Sequence, residues 1–313
     1  MANKILTTAE GRHAGAFSSG DWSRFLGIGL IWGASFLLIE LALRAFEPGL
    51  VTWMRIGFGA AALAFLPSAR ASIAREDRAR VIAVAVLWVA VPFTLFPLAQ
   101  RFVTSAVAGM LNGSLPIMAA IVAAVLLGRL PRRLQMLGLA IGAVGVASIA
   151  VTAAGEGANQ AIGVLMILGA VVCYAFAVNI VGPLQQRYGS VPVMARVLVI
   201  ATLLTAPFGI WSIPASSFSW SSLASMAVLG AVGTGFAFVI FGRLVGNVGT
   251  TRAAFAIYLV PAVAMVLGAV VLDETVTPLD VVGMALVITG AIIASRPDRA
   301  PALTEAIETT PPA

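Results

Sequence analysis

The stretch Val103–Ser148, VTSAVAGMLNGSLPIMAAIVAAVLLGRLPRRLQMLGLAIGAVGVAS, reads as two apolar helices joined by the basic turn GRLPRR. It recurs 145 residues later as Val248–Ile293, VGTTRAAFAIYLVPAVAMVLGAVVLDETVTPLDVVGMALVITGAII. Without gaps, 11 of the 46 aligned positions are identical, among them Pro116/Pro261, Gly138/Gly283 and Gly145/Gly290. So apolar a composition gives about 4 identities by chance, and prolines and glycines at fixed points are less easily accidental. The chain is therefore read as a duplication.

Composition sets the solvent. Of the 313 residues, 60% are hydrophobic and only 10% charged, with a mean hydropathy of +1.02. A soluble domain carries about 25% charged residues, so the chain is an all-α integral membrane protein. The net charge of +6 belongs to loops that face anionic lipid, not to a nucleic-acid surface. One cysteine, Cys173, excludes an intramolecular disulfide and a cysteine-rich metal site. The one histidine, His13, falls in the polar N-terminal tail. There is one lysine, Lys4, and no phosphate-binding GxxxxGK[ST] motif, which argues against ATP hydrolysis. The first 22 residues lack the apolar core of a signal peptide. No cofactor and no metal are expected.

A membrane-crossing helix needs about 20 apolar residues. Ten stretches qualify, at 23–43, 50–67, 80–99, 103–128, 134–153, 161–182, 191–211, 220–241, 250–272 and 279–296. They divide the chain into a tail (1–22), a five-helix repeat (23–153), a second five-helix repeat (161–296) and a C-terminal tail (297–313). Fourteen of the Lys and Arg residues lie in the tails and even-numbered connections, against Arg44 and Arg101 in the others. Arg55, Arg196 and Arg252 fall inside spans. The positive-inside rule then predicts cytoplasmic termini in a bacterial inner membrane. Five spans per repeat is odd, so the second copy is expected to be inverted, with a substrate site near the midplane between the halves.

The order of motifs resembles a known family. IWGASF lies in the first helix, WMRIGF in the second and NGSLPIMAA in the fourth, with a Q-x-x-G-x-x-x-G-x-x-G fifth helix; VCYAFAV, MARVLV, IYLVPAVA and LDETVTPLDVVG follow in the second half. This resembles the paired EamA-type repeats of the drug/metabolite transporter superfamily, over residues 22–296. The resemblance implies ten helices, alternating access around a central cavity and export of small metabolites, with amino-acid exporters, including aromatic ones, as the nearest match. The family's acidic residue after the ninth helix is kept as Asp273–Glu274, whereas Arg129 stands at the corresponding point of the first repeat.

Polar and aromatic groups inside apolar helices tend to mark a path. Trp32 and Tyr174, mid-helix and roughly repeat-related, are candidates for stacking on a flat or apolar substrate, with core packing as the plain alternative. Asn112, Asn179 and Tyr258 offer uncharged donors and acceptors, and Ser35 and Thr94 complete the expected substrate-binding set. Pro116 and Pro261 remove a helix donor and free a carbonyl, and so join Arg55 and Arg196 as gating candidates. Glu40 is the proton-coupling candidate, although a local pair with Arg44 explains it as well. Trp22, Trp53, Trp211 and Trp220 are read as interfacial anchors, and Asp273, Glu274 and Asp280 as a solvated loop.

These readings predict a secondary transporter exporting amino acids, foremost aromatic or hydrophobic ones, whose partners are a small-molecule substrate and the bilayer. Proton-coupled export of lipophilic cations is the alternative. A membrane-embedded enzyme would need a carboxylate, histidine or metal cluster, and none is visible in the sequence.

Overall fold

A computed structural model describes residues 18–127, 133–154, 157–248, 253 and 255–294. Arg129 and Arg252, with most of both tails, lie outside the described residues. The described residues form helices joined by short turns, with no strand among them. The helices are α1 (Ser19–Leu43), α2 (Pro48–Ala64) and α3 (Arg75–Ala99); α4 in two pieces (Ser105–Asn112 and Leu115–Leu127); and α5 (Arg133–Ala154). The second half holds α6 (Ala158–Tyr188), α7 (Ser190–Ser212), α8 (Trp220–Gly230 continuing through Ala231–Phe236 to Ala237–Val248), α9 (a 3-10 turn Phe255–Tyr258, then Leu259–Val271) and α10 (Pro278–Ala294). Among the described residues, seven helices are long and apolar enough to cross a membrane. The helices α2, α9 and α10 are shorter. Ser18 and Asp21 close a reciprocal capping box, so α1 starts at Ser19.

Interruptions recur in both halves. In α4 the helix stops at Gly113–Ser114 and restarts at Leu115, so that Pro116 stands in the first turn of the new piece. In α9 the 3-10 turn ends at Tyr258 and Pro261 stands in the first turn after it. Neither proline therefore lies in the interior of an unbroken helix. Each sits where its missing N–H is not needed by the helix. The other shared interruption is a π-helical stretch, Ala85–Ala90 in α3 and Ala231–Phe236 in α8, a feature that often marks a functional position.

Helices of the two halves pack as exchanged counterparts. The pairs α2/α7, α4/α9 and α5/α10 each set a helix against its own equivalent, while α1 lies on α8 and α9 as α6 lies on α3 and α4. The α5/α10 seam is the tightest. A Cβ at Gly138 would lie 2.5 Å from Ala294 N and 2.6 Å from Gly290 O, and one at Gly145 would lie 2.6 Å from Gly283 O. Backbone meets backbone there, as small residues permit in membrane helices. The first-helix glycines Gly29 and Gly33 likewise admit Leu259 and Val263 of α9.

The acidic loop before α10 is not merely solvated. Glu274 accepts from the backbone N–H groups of Ser105 and Ala106, both at 2.8 Å, capping α4 across the halves. Asp280 is buried; it accepts from Thr277 N and Oγ1 and from Thr152 Oγ1 at 2.7 Å. Glu274→Ala is expected to cost about 1–2 kcal/mol through the lost cap, read as a lower thermal midpoint of the purified protein. Trp53 also departs from expectation. It is packed against the core, its side chain occupying the space above Gly209, while Trp22, Trp211 and Trp220 are exposed as expected.

Candidate functional site

Arg55 stands at the middle of α2 and is only 6% exposed. Its Nε donates to Thr234 Oγ1 at 3.2 Å, and its Cζ lies 3.7 Å above the Phe93 ring. Thr234 belongs to the π stretch of α8 and donates its own hydroxyl to Leu229 O at 3.1 Å, which turns its oxygen toward the arginine. Among the described residues no carboxylate lies within ion-pair distance of Arg55. A buried guanidinium normally requires an opposite charge, and here a cation–π contact and one hydroxyl stand in for it.

Aromatic side chains also pair across the two halves. Trp32 packs against Phe238 and Phe241, with centroids 6.1 and 5.1 Å away, and Phe238 meets Trp88 at 5.8 Å. Tyr174 stacks on Phe96 at 6.0 Å, and Phe96 meets Phe36 edge-on. Trp32 and Tyr174 each pack against both large core clusters, so they stand where the two cores join.

The other sequence candidates separate into two sets. Ser35 is buried near Gly233 of the same π stretch and donates to Ile31 O; Thr94, next to Phe93, donates to Ala90 O at 2.7 Å. Asn112 ends the first piece of α4, and its Oδ1 is buried with no hydrogen-bond donor. These join Arg55, Trp32 and Tyr174 in the interior. Tyr258 is tied to a neighbouring helix: its buried hydroxyl donates to Ala291 O of α10 at 3.0 Å. Asn179 donates back along its own helix to Ala175 O. Arg196 is peripheral, donating to Ala69 O, Pro192 O and Arg70 O, and so fastens α7 to the turn after α2. Glu40 forms no ion pair with Arg44; its partner is Gln100 Nε2 at 3.4 Å, which also donates to Phe36 O. The side chains that sequence reasoning missed are Phe93, Thr234 and Phe238. A threonine flanked by glycines in VGTGF was the available signal for the second of these.

One end of the bundle gives access. A cleft of about 680 Å³ lies between α1, α2, α7 and α8, with Arg24, Arg243 and Asn247 at its rim and Phe236 at its far end. From Asn247 to Phe236 the wall is α8, about 16 Å at 1.5 Å per residue. Thr234, the partner of Arg55, lies two residues before Phe236 on α8 and is fully buried, so it does not line the cleft. The opposite end is closed by contacts between halves: Ser217 N donates to Ala45 O, Glu47 N to Ser216 Oγ and Ser222 Oγ to Leu41 O, beside an Arg101–Glu47 pair.

The model of the EamA-like transporter family matches residues 23–151 and again 161–296. The chain belongs to the EamA-like transporter family. The duplication read from the sequence is thus two EamA repeats, and the chain is a multi-pass membrane transporter and not an enzyme. Among curated relatives, it is 28% identical over 291 residues to a probable terminal-alkyne amino-acid exporter of Streptantibioticus cattleyicolor, covering 89% of this chain and 94% of that one. The transporter YvbV of Bacillus subtilis is 23% identical over 276 residues, covering 87% and 90%. A crystal structure with 19% sequence identity aligns at a TM-score of 0.61 over 89% of this EamA-like chain and 98% of that one, which shows a shared fold. Among the described residues no group of His, Cys, Asp or Glu could hold a metal ion.

Proposed function

We propose that this EamA-like transporter exports amino acids, foremost aromatic or hydrophobic ones, across a bacterial inner membrane. The observation that carries the reading is Arg55: a guanidinium buried at the middle of α2, roofed by Phe93 and without a carboxylate partner among the described residues. A substrate carboxylate completes that charge with short, charge-assisted hydrogen bonds. Trp32, Tyr174 and Phe96 then offer ring faces to an apolar side chain, and Asn112 Oδ1 is the acceptor assigned to the ammonium group.

Ten spans in two inverted five-helix repeats, with cytoplasmic termini, fit this reading. The exchange of equivalent contacts between halves supports it, because two arrangements of one fold are then related by swapping the roles of the repeats. The cleft at the arginine-rich end becomes the inward entrance, and the ties at the opposite end become the outer gate. Arg196 and the restart prolines Pro116 and Pro261 are assigned to gating, Arg196 as the fastening of α7 to the turn after α2.

Efflux from proteoliposomes tests this. The vesicles are loaded with labelled phenylalanine, leucine, lysine, a sugar phosphate or a lipophilic cation, with and without a pH gradient. Selective release of phenylalanine and leucine is the expected result. Movement of the lipophilic cation alone, driven by the gradient, would overturn the proposal and return Glu40 to the centre.

A further inference from the structure

A second crevice, of about 740 Å³, lies apart from the substrate cleft, between α2, α3 and α7 at the arginine-rich end. Its two parts differ in chemistry. Arg70 and Arg78 stand at its mouth, both exposed, and Ser72 adds a hydroxyl. The rest is hydrocarbon: Ala60 and Ala64 of α2 leave the space that larger side chains would fill, and Ile82 and Val199, each about half exposed, form the sides toward the membrane.

The carboxylates that might neutralise these arginines are engaged elsewhere. Glu76 pairs with Arg187 at 2.7 Å. Asp77 accepts from Arg80 at 3.0 Å and from Arg187 and Tyr188 at 2.8 Å. Arg196, the third arginine of the crevice, is turned to backbone carbonyls and fixes one wall. Among the described residues, neither Arg70 nor Arg78 has an ion-pair partner.

We propose that this crevice binds an anionic phospholipid, its phosphate on Arg70 and Arg78 and one acyl chain along Ala60, Ala64 and Val199. The shape excludes simpler occupants. A soluble anion would leave the apolar length of the crevice unfilled, and a neutral lipid would leave two guanidinium groups without a counter-charge. Basic pockets between membrane helices recognise acidic headgroups by this combination. The bound lipid spans the two halves, since α2 and α3 belong to the first repeat and α7 to the second.

Native mass spectrometry of the purified full chain, incubated with phosphatidylglycerol or phosphatidylcholine of the same acyl length, tests the assignment. Retention of phosphatidylglycerol over phosphatidylcholine is expected. Each basic residue is worth about fivefold near an acidic headgroup, so the double variant Arg70→Gln/Arg78→Gln should retain phosphatidylglycerol about thirtyfold more weakly. Ala64→Phe fills the crevice and keeps both charges; it too should lose the lipid. Equal retention of the two lipids would overturn the proposal, as would undiminished binding in Ala64→Phe. So would thermal stabilisation by inorganic phosphate alone equal to that by phosphatidylglycerol, which would mark a soluble-anion site.

Discussion

Replacing Gly290 with valine is expected to stop the protein from reaching a monodisperse folded state. A Cβ there would overlap Gly142 N and would lie 2.6 Å from Gly138 O, so what it meets is the backbone of α5. A side-chain tip can rotate away, whereas a helix backbone moves only by parting the whole seam. Overpacking costs about 1–3 kcal/mol where side chains adjust, and here they cannot, so the effect is expected at or beyond the upper figure. Two controls separate this from a general intolerance of change. At Gly142 the nearest atom is Ile117 Cδ1, the end of a flexible side chain, so Gly142→Ala should be milder. At Gly27 a Cβ meets nothing within 4 Å, and Gly27→Ala should leave the thermal midpoint unchanged or slightly raised, as helix propensity favours alanine. Size-exclusion profiles and thermal midpoints of the three variants check the order. A folded, stable Gly290→Val protein would refute the seam as described.

Arg55→Ala is expected to abolish amino-acid efflux while leaving the protein folded. Two effects oppose each other in stability. Truncation removes the stacking on Phe93 and the bond to Thr234, but it also removes an interior charge that no carboxylate compensates. Uncompensated interior charge is costly, so the net change in stability is small beside the change in transport. For a carboxylate substrate, loss of a buried charged partner costs about 3–5 kcal/mol, or roughly a hundredfold to several thousandfold in apparent affinity. Arg55→Lys keeps the charge but loses the planar stack and the fork of donors, and should recover only part of the activity. The decisive comparison is phenylalanine against phenethylamine, which lacks the carboxylate. The wild-type protein should favour phenylalanine, and Arg55→Ala should lose that preference. An Arg55→Ala protein that still prefers phenylalanine would show that the carboxylate is held elsewhere.

Much of the fold was legible because membrane helices announce themselves by length and hydropathy, and because duplication doubles each signal. The repeat placed Pro116 with Pro261 and Gly138 with Gly283 before any packing was known. The GxxxG pair Gly29/Gly33 marked the face of α1 that α9 covers. What could not be read was which way polar side chains turn. These helices are apolar on nearly every face, so periodicity gives no inward direction. That is why Tyr258, bonded into α10, entered the same substrate-binding set as Tyr174 at the junction of the cores. It is also why Arg55 and Arg196 were paired by sequence although one is interior and the other peripheral. The π stretches have no composition of their own, so the glycine-flanked Thr234 was the one sign of the turn of α8 that brings it to Arg55.

The glycine seam between α5 and α10 also bears on how such a duplicated chain can change over generations. Gly138 rests on Gly290 of the other half, and Gly145, the counterpart of Gly290, rests on Gly283, the counterpart of Gly138. Each repeat is therefore the mould for the other. A residue that swells in one copy collides with main chain in its sibling, and no second substitution can carve space out of a peptide bond. Elsewhere the copies were free to drift apart, to the extent that an arginine faces the position of a glutamate at 129 and 274. Along this line the pairs Gly138/Gly283 and Gly145/Gly290 are glycine in both copies.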